Sequence, residues 1–380
     1  MSSIELDEDC WVVIGREGVG VRLVNAVAAF MQSLWQQGLS TDAIVDNVMQ
    51  RYEVDRETAS ADLHALLQTL DEDDGQVLKE LTPYQPIADF MPAEPCCPVE
   101  ACECFLPGFR IRFASELPGL CEYLQELFPL AVVPGEPSKD ILINVHVDGG
   151  RFPVVHEGKT LDTGLTLSDT ALKCLREVNG VIGREVPYTI IFHASAVARN
   201  GKGILFPALG GSGKTTLSAY LMAQGFEFLN DDAVPLCSQS ARLQPIPLSL
   251  SIKQGSWSVL DTWFPALTSS RIYGAVGHQI RYLAPVEKYV CRQPVECAMV
   301  VLPVYSLQAT RLVCEQVSTR EAFEHIIRSG CILDQPVAFA QIAALVDWLK
   351  ALPVYRVTYR DMKEVENWLD AQLLRLSSAW

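Results

Sequence analysis

The stretch of this chain richest in chemistry runs Gly203-Ile-Leu-Phe-Pro-Ala-Leu-Gly-Gly-Ser-Gly-Lys-Thr-Thr-Leu217. Ile204 to Phe206 read as an apolar strand, the glycines as a loop, and Thr215 to Gln224 as a helix stopped at Gly225. In that order the loop's backbone N–H groups and the helix N-terminus converge on one anion. Gly210, Gly211 and Gly213 let the backbone approach phosphates, with Ser212 and Thr216 beside them as further nucleotide contacts. Lys214 places a cation on the terminal phosphates, and the Thr215 hydroxyl can ligate magnesium. One position departs from the strict G-x-x-x-x-G-K-[ST] pattern: Ala208 stands where the first glycine belongs. ATP with Mg2+ is the expected ligand.

A phosphate loop alone does not separate a kinase from an ATPase, so the next acidic element matters. Phe226-Glu-Phe-Leu-Asn-Asp-Asp-Ala-Val234 is an apolar strand ending in Asp231 and Asp232. In a parallel sheet such a strand is expected beside the strand of the phosphate loop, with its C-terminal end at the phosphates. Two adjacent carboxylates can divide two tasks, one holding magnesium and one accepting the proton of an attacking hydroxyl. Both are taken as catalytic, and Asp232 with Thr215 as the magnesium side.

The elements that must position these groups follow from the rest of the chain. At 380 residues two domains, or two and a small subdomain, are expected. Residues 1–75 read as an α+β unit of winged helix-turn-helix type. Trp11 to Ile14 and Gly20 to Val24 are β-rich runs with Gly15, Gly18 and Gly20 between them, a hairpin signal. Three helices follow, capped by Asn25, near Ser40 and at Asp55; Ala59, Leu63, Leu66, Leu67 and Leu70 form a stripe on the third. Residues 76–105 are proline-rich and read as a linker. Cys96, Cys97, Cys102 and Cys104 lie in it, with either a zinc site or reduced thiols as the reading, although no C-x2-C pair is present. Residues 106–190 look like a small β-rich subdomain, with strands at Phe109 to Phe113, Ile141 to Val147 and Phe152 to Val155, and residues 191–380 like the core.

Composition narrows the partners. The apolar fraction is 49% and no apolar run approaches ~20 residues, so no membrane span is expected and a cytoplasmic location is. Twelve scattered cysteines fit a reducing compartment. A net charge of −16 opposes nucleic acid binding. Residues 1–80 hold five Lys or Arg against sixteen Asp or Glu, which excludes the DNA contacts of many winged helices and suits a basic peptide.

Phe192-His-Ala-Ser-Ala-Val197, the glycine loop, Leu229-Asn-Asp-Asp232 and Pro247-Leu-Ser-Leu-Ser-Ile-Lys253 together resemble HPr kinase/phosphorylase and its smaller bacterial relatives, over roughly residues 105–360. The resemblance implies an α/β P-loop kinase core of the HPr kinase C-terminal type. It places His193 near the catalytic base and makes Lys253 and Arg281 counter-charges for the phosphates. The long signature tied to the hexamer and to phosphorolysis is missing, so reversal is not implied and a homo-oligomer stays open. Val21-Arg-Leu-Val-Asn25, Leu34 to Gly38, Tyr52-Glu-Val-Asp55 and the helix through Leu70 are similar to the peptide-carrying protein of pyrroloquinoline quinone biosynthesis. Its relatives are recognition elements for leader peptides of ribosomally made, modified peptides. That likeness implies a leader peptide added as a strand on the Gly20 to Val24 edge, touching Val21, Leu23, Asp62 and Leu66. Together the two imply a kinase for a Ser or Thr hydroxyl of a precursor peptide. A kinase of free serine and a nucleotide-switched regulatory ATPase remain the alternatives.

Overall fold

The computed structural model describes the chain except residues 1–2, 8–9, 15–20, 53, 72–98, 107, 130–138, 276–277, 334–335 and 379–380. The Gly15, Gly18 and Gly20 hairpin signal and most of the expected linker, with Cys96 and Cys97, lie outside the described residues.

β1 (Ser3–Asp7), β2 (Cys10–Ile14) and β3 (Val21–Val24) form an antiparallel sheet in that order, followed by α1 (Ala26–Gln36), α2 (Thr41–Tyr52) and α3 (Arg56–Asp71). Short polar side chains replace the missing partners at each helix start. Asn25 Oδ1 accepts from Ala28 N at 2.8 Å, Ser40 Oγ from Ala43 N at 3.3 Å and Asp55 Oδ1 from Thr58 N at 2.8 Å. Met31, Ile44, Val48, Ala59 and Leu63 close the core between the helices. The sheet's other face is also covered. Leu6, Val12, Ile14 and Val21 belong to one apolar core with Phe192, Phe323, Ile342 and Leu349 of the C-terminal unit. The N-terminal unit is therefore docked on its neighbour through buried side chains.

β4 (Glu100–Leu106), β5 (Phe109–Ser115), α4 (Leu120–Leu127), β6 (Lys139–Val145), β7 (Phe152–His156), β8 (Lys159–Gly164) and α5 (Leu167–Glu185) build the second unit, a five-stranded sheet in sequential order with α4 and α5. Its first strand begins inside the stretch expected to be linker. Cys102 and Cys104 alternate along it and face inward. Burial pushes the Cys104 thiol up to about 12 and that of Cys102 further still. Both thiols pack in the core of this unit, and the zinc reading, which also needs Cys96 and Cys97, lies partly outside the described residues. Among the described residues no group of three or more His, Cys, Asp or Glu could hold a metal ion.

The third unit comprises β9 (Tyr188–Phe192), β10 (Ala194–Arg199), β11 (Lys202–Pro207), α6 (Lys214–Ala223), β12 (Glu227–Asp231), β13 (Val234–Cys237), β14 (Leu250–Lys253), α7 (Trp257–Leu260), β15 (Tyr273–Ala275) and β16 (His278–Leu283), and then β17 (Glu296–Tyr305), β18 (Val313–Gln316), α8 (Thr319–Ser329), β19 (Cys331–Ile332), α9 (Phe339–Lys350), β20 (Val354–Tyr359) and α10 (Met362–Ser378). Its central sheet has the order β12-β10-β11-β17-β20-β18. Phe206, Leu217, Leu221, Val301, Val365 and Leu369 join one sheet face to α6 and α10, while α8 and α9 cover the other. Two small sheets, β13-β9-β19 and β14-β16-β15, flank it. Among the described residues no helix is long and apolar enough to cross a membrane.

β12 does not lie beside β11, as a simple parallel arrangement would have it. β10 stands between them and is antiparallel to both. The cause is local: Asn200 and Gly201, at φ 55 and 74, make a two-residue turn that folds β10 back on β11 from Arg199↔Lys202 onward. With one antiparallel strand between them, β11 and β12 still run the same way and end at the same edge of the sheet.

Candidate active site at the start of helix α6

β11 ends at Pro207 and α6 begins at Lys214, so residues 208–213 form the loop between them. Gly211 and Gly213 hold φ of 92° and 90°, a region costly for a residue with a Cβ. Ala208 is not among the positive-φ residues. Its Cβ therefore adds no backbone strain, and its carbonyl accepts from Lys214 Nζ at 3.4 Å. Gly213 is also pressed against the sheet, since a Cβ there would stand 3.2 Å from Tyr359 Oη and 3.4 Å from Tyr305 Cβ. Gly210 lies near Lys253, whose Nζ would be 3.8 Å from a Cβ at that position. The Ser212 hydroxyl is buried with no hydrogen-bond partner among the described residues.

Three of the expected residues form one chain of hydrogen bonds. Lys214, only 8% exposed, donates from Nζ to His193 Nε2 at 2.9 Å. An ammonium can only donate, so Nε2 accepts and the ring proton sits on Nδ1. Nδ1 is 3.0 Å from Asp232 Oδ1 and donates to it. His193 is placed by the break between β9 and β10, where its N–H bonds the Gly330 carbonyl at 3.0 Å after α8.

The two carboxylates differ in environment. Asp231 is buried and accepts from the Thr215 hydroxyl at 2.9 Å. Burial pushes its pKa up to about 6 against the opposing pull of the Lys214 charge. Asp232 is 55% exposed at its side chain. Burial raises its pKa, but the His193 hydrogen bond and the positive charges of Lys214 and Lys253 outweigh that and hold it below the usual carboxylate range. Thr215 thus pairs with Asp231, while Asp232, expected with Thr215 on the magnesium side, pairs with His193. Asp232 has φ of 100°, a conformation that costs a non-glycine residue about 1–3 kcal/mol. Asn230 helps hold the turn, accepting from Asp231 N at 2.7 Å and donating to the Ala233 carbonyl.

Of the expected outer cations, Lys253 faces the site and Arg281 does not. Side chains alternate along β14, so Ser251 and Lys253 share the site face while Leu250 and Ile252 face a separate core. Arg281 pairs with Ile252 and therefore takes that second face. Its guanidinium lies 4.3 Å from the Trp257 ring centroid and donates to the Leu267 carbonyl. Several neighbours escaped the sequence reading. Ser251 Oγ is 3.5 Å from Asp231 Oδ2, Ser256 Oγ is 2.6 Å from Thr216 Oγ1, and burial beside both carboxylates raises the Tyr282 hydroxyl. The alternation in Leu248-Ser-Leu-Ser-Ile-Lys253 was the available signal for Ser251.

In the N-terminal unit β3 is an edge of its sheet among the described residues. Of the side chains expected to touch a peptide there, Val21 is buried against the C-terminal unit and Leu23 packs on the same core. Leu66 is buried among the helices and Asp62 is exposed. Arg22 and Val24 take the alternate face of β3, level with Val13 and Trp11.

With this geometry in place, comparison with known proteins adds three findings. No curated protein matches the chain. Among solved structures it is similar to the Hpr(Ser) kinase/phosphatase from Coxiella burnetii, at 11% identity over 49% of this chain and 98% of that one, with a TM-score of 0.24. Residues 10–74, the span from β2 through α3, match the family described as Coenzyme PQQ synthesis protein D (PqqD).

Proposed function

We propose that the chain is an ATP-dependent kinase that phosphorylates a Ser or Thr hydroxyl of a precursor peptide held by its N-terminal unit. The observation that carries this reading is the meeting of Lys214, Thr215, Asp231, Asp232 and His193 at the start of α6. A cation, a hydroxyl and two carboxylates of unlike environment are the parts that phosphoryl transfer needs. The match of residues 10–74 to PqqD supports peptide holding by the N-terminal unit.

The donor set fits magnesium. The Thr215 hydroxyl and the Asp231 carboxylate are hard oxygen ligands, and a buried carboxylate with a raised pKa gains most from a nearby cation. Bound there, magnesium would neutralise charge on the transferred group. Loop amides and Lys214 orient the phosphates of ATP. Asp232 is ionised, exposed and backed by His193, so it takes the proton of the acceptor hydroxyl. The hydroxyl oxygen bonds the γ-phosphorus as the bond to the β–γ bridging oxygen breaks, and ADP leaves. The leader peptide pairs with the β3 edge through its backbone, which raises the local concentration of the acceptor segment.

The deciding assay offers γ-labelled ATP to the full chain with a leader-bearing peptide or with free amino acids. Label on the peptide, lost in Lys214→Ala while leader binding stays, is the expected result. Label on free serine would make it a small-molecule kinase, and phosphate release with no labelled acceptor a switch ATPase. Persistent peptide labelling by Lys214→Ala would remove the site.

A further inference from the structure

We propose that Tyr305 is the stacking platform for the base of the bound nucleotide, a role that rests on the phosphate-site reading above. β17 pairs with β11 up to Leu205↔Val300, and β11 stops at Pro207. β17 runs on to Tyr305, zipped to β20 through the pair Tyr305↔Tyr359. The tips of β17 and β20 therefore stand past the end of β11 as a wall beside the phosphate loop. Contact with the loop is direct, because a Cβ on Gly213 would meet both tyrosines.

The two rings are not equivalent. Tyr359 is 1% exposed and belongs to the core under α6 and α10. Tyr305 is 49% exposed and rests edge-on against Tyr359, with centroids 5.8 Å apart and planes at 66°. The backbone after it is fixed by Ser306 N, which donates to the Tyr359 carbonyl at 2.9 Å. Leu307, 63% exposed, follows on the same rim. A braced aromatic ring that keeps half its surface in water offers a face for a flat ligand.

The opposite rim has a different character. Beyond the loop on the β12 and β14 side stand Asp232, Lys253 and the Ser256–Thr216 hydroxyl pair. A nucleotide whose phosphates lie on the loop has one polar rim, suited to the acceptor, and one aromatic rim, suited to its base. Stacking tolerates any base with a π-face. Tyr305 would thus add affinity while leaving ATP and GTP poorly separated.

The test is binding of MgATP and of inorganic tripolyphosphate to the full chain and to its Tyr305→Ala and Tyr305→Phe variants. Tyr305→Ala should weaken MgATP roughly tenfold or more, the scale of one stacked base, with tripolyphosphate affinity unmoved. Tyr305→Phe should hold MgATP near the parent value. Equal losses for both ligands would make Tyr305 a buttress of Gly213 and overturn the proposal, as would no loss for either or a Phe variant as weak as Ala. A parent chain that binds MgATP but ignores tripolyphosphate would instead overturn the phosphate-site reading, and the base platform with it.

Discussion

Thr215 Oγ1 donates a 2.9 Å hydrogen bond to Oδ1 of Asp231, tying the first turn of α6 to the tip of a strand two places away in the sheet. The hydroxyl and the carboxylate come from elements that meet because β11 and β12, each antiparallel to the β10 strand between them, run the same way and end at the same edge. Asp231 sits 6% exposed at that junction. Its two neighbours of opposite kind, Lys214 and Asp232, pull its titration in opposite directions, and burial decides the outcome.

Asp231 should make the ligand-free protein less stable as pH rises through a defined window. Its folded pKa is raised from 3.8 to about 6. Between those values the native state holds a proton that the unfolded chain has released, so stability falls with rising pH and levels off above about 6. Asp231→Asn should flatten that slope and raise stability at neutral pH by up to about 3 kcal/mol. Urea unfolding at both ends of the window measures it. A variant less stable than the parent at neutral pH would mean that the carboxylate is charged and satisfied.

Asp232 carries both strain and function, and substitutions should separate them. Asp232→Asn removes the proton acceptor opposite His193 and should cut transfer roughly 10²–10⁴-fold with ATP affinity kept. Asp232→Gly should lose as much activity, yet melt higher than the Asn variant by about 1 kcal/mol, because glycine takes a φ of 100° without strain. Paired rate and melting measurements read both effects. Equal stability of the two variants would show that the backbone there costs nothing.

The loop, the helix after it and the acidic strand were legible because their chemistry is local: glycines at fixed offsets, a run of apolar residues, a charged tip. Caps at Asn25 and Asp55 were legible for the same reason. What escaped depends on contacts between distant segments. The insertion of β10 hangs on one Asn200-Gly201 turn that was present in the sequence and went unread. Arg281 looked like Lys253 as a cation, and only the pairing Ile252↔Arg281 sets them on opposite faces. Val21 and Leu23 read as the face of a peptide edge until α8 and α9 supplied a second apolar surface for the sheet to cover.

Lys253 and Arg281 should therefore fail differently. Lys253→Ala removes a charge near Gly210 and should weaken ATP several-fold, with a loss that shrinks as salt is added. Arg281→Ala removes packing on Trp257 and a bond to the Leu267 carbonyl, and should lower stability by about 1 kcal/mol or more with little change in ATP affinity. Titrations at two salt concentrations beside thermal melts separate the cases. A salt-dependent affinity loss in Arg281→Ala would return that residue to the phosphate site.

The N-terminal unit should unfold together with the C-terminal one. Leu6, Val12, Ile14 and Val21 share a core with Phe323 and Ile342, and Lys350 Nζ donates to the Glu5 carbonyl at 2.7 Å. Val12 is fully buried in that shared core. Val12→Asp places an unpaired carboxylate there and should cost several kcal/mol. Because the core is shared, the loss should appear in both units, as one transition moved to lower temperature for the helical signal and for a nucleotide-site probe alike. Asp62→Ala, on the exposed face of α3, is the control and should leave both signals in place. A Val12→Asp chain whose nucleotide-site probe melts as in the parent would mean that the sheet merely rests against α8 and α9.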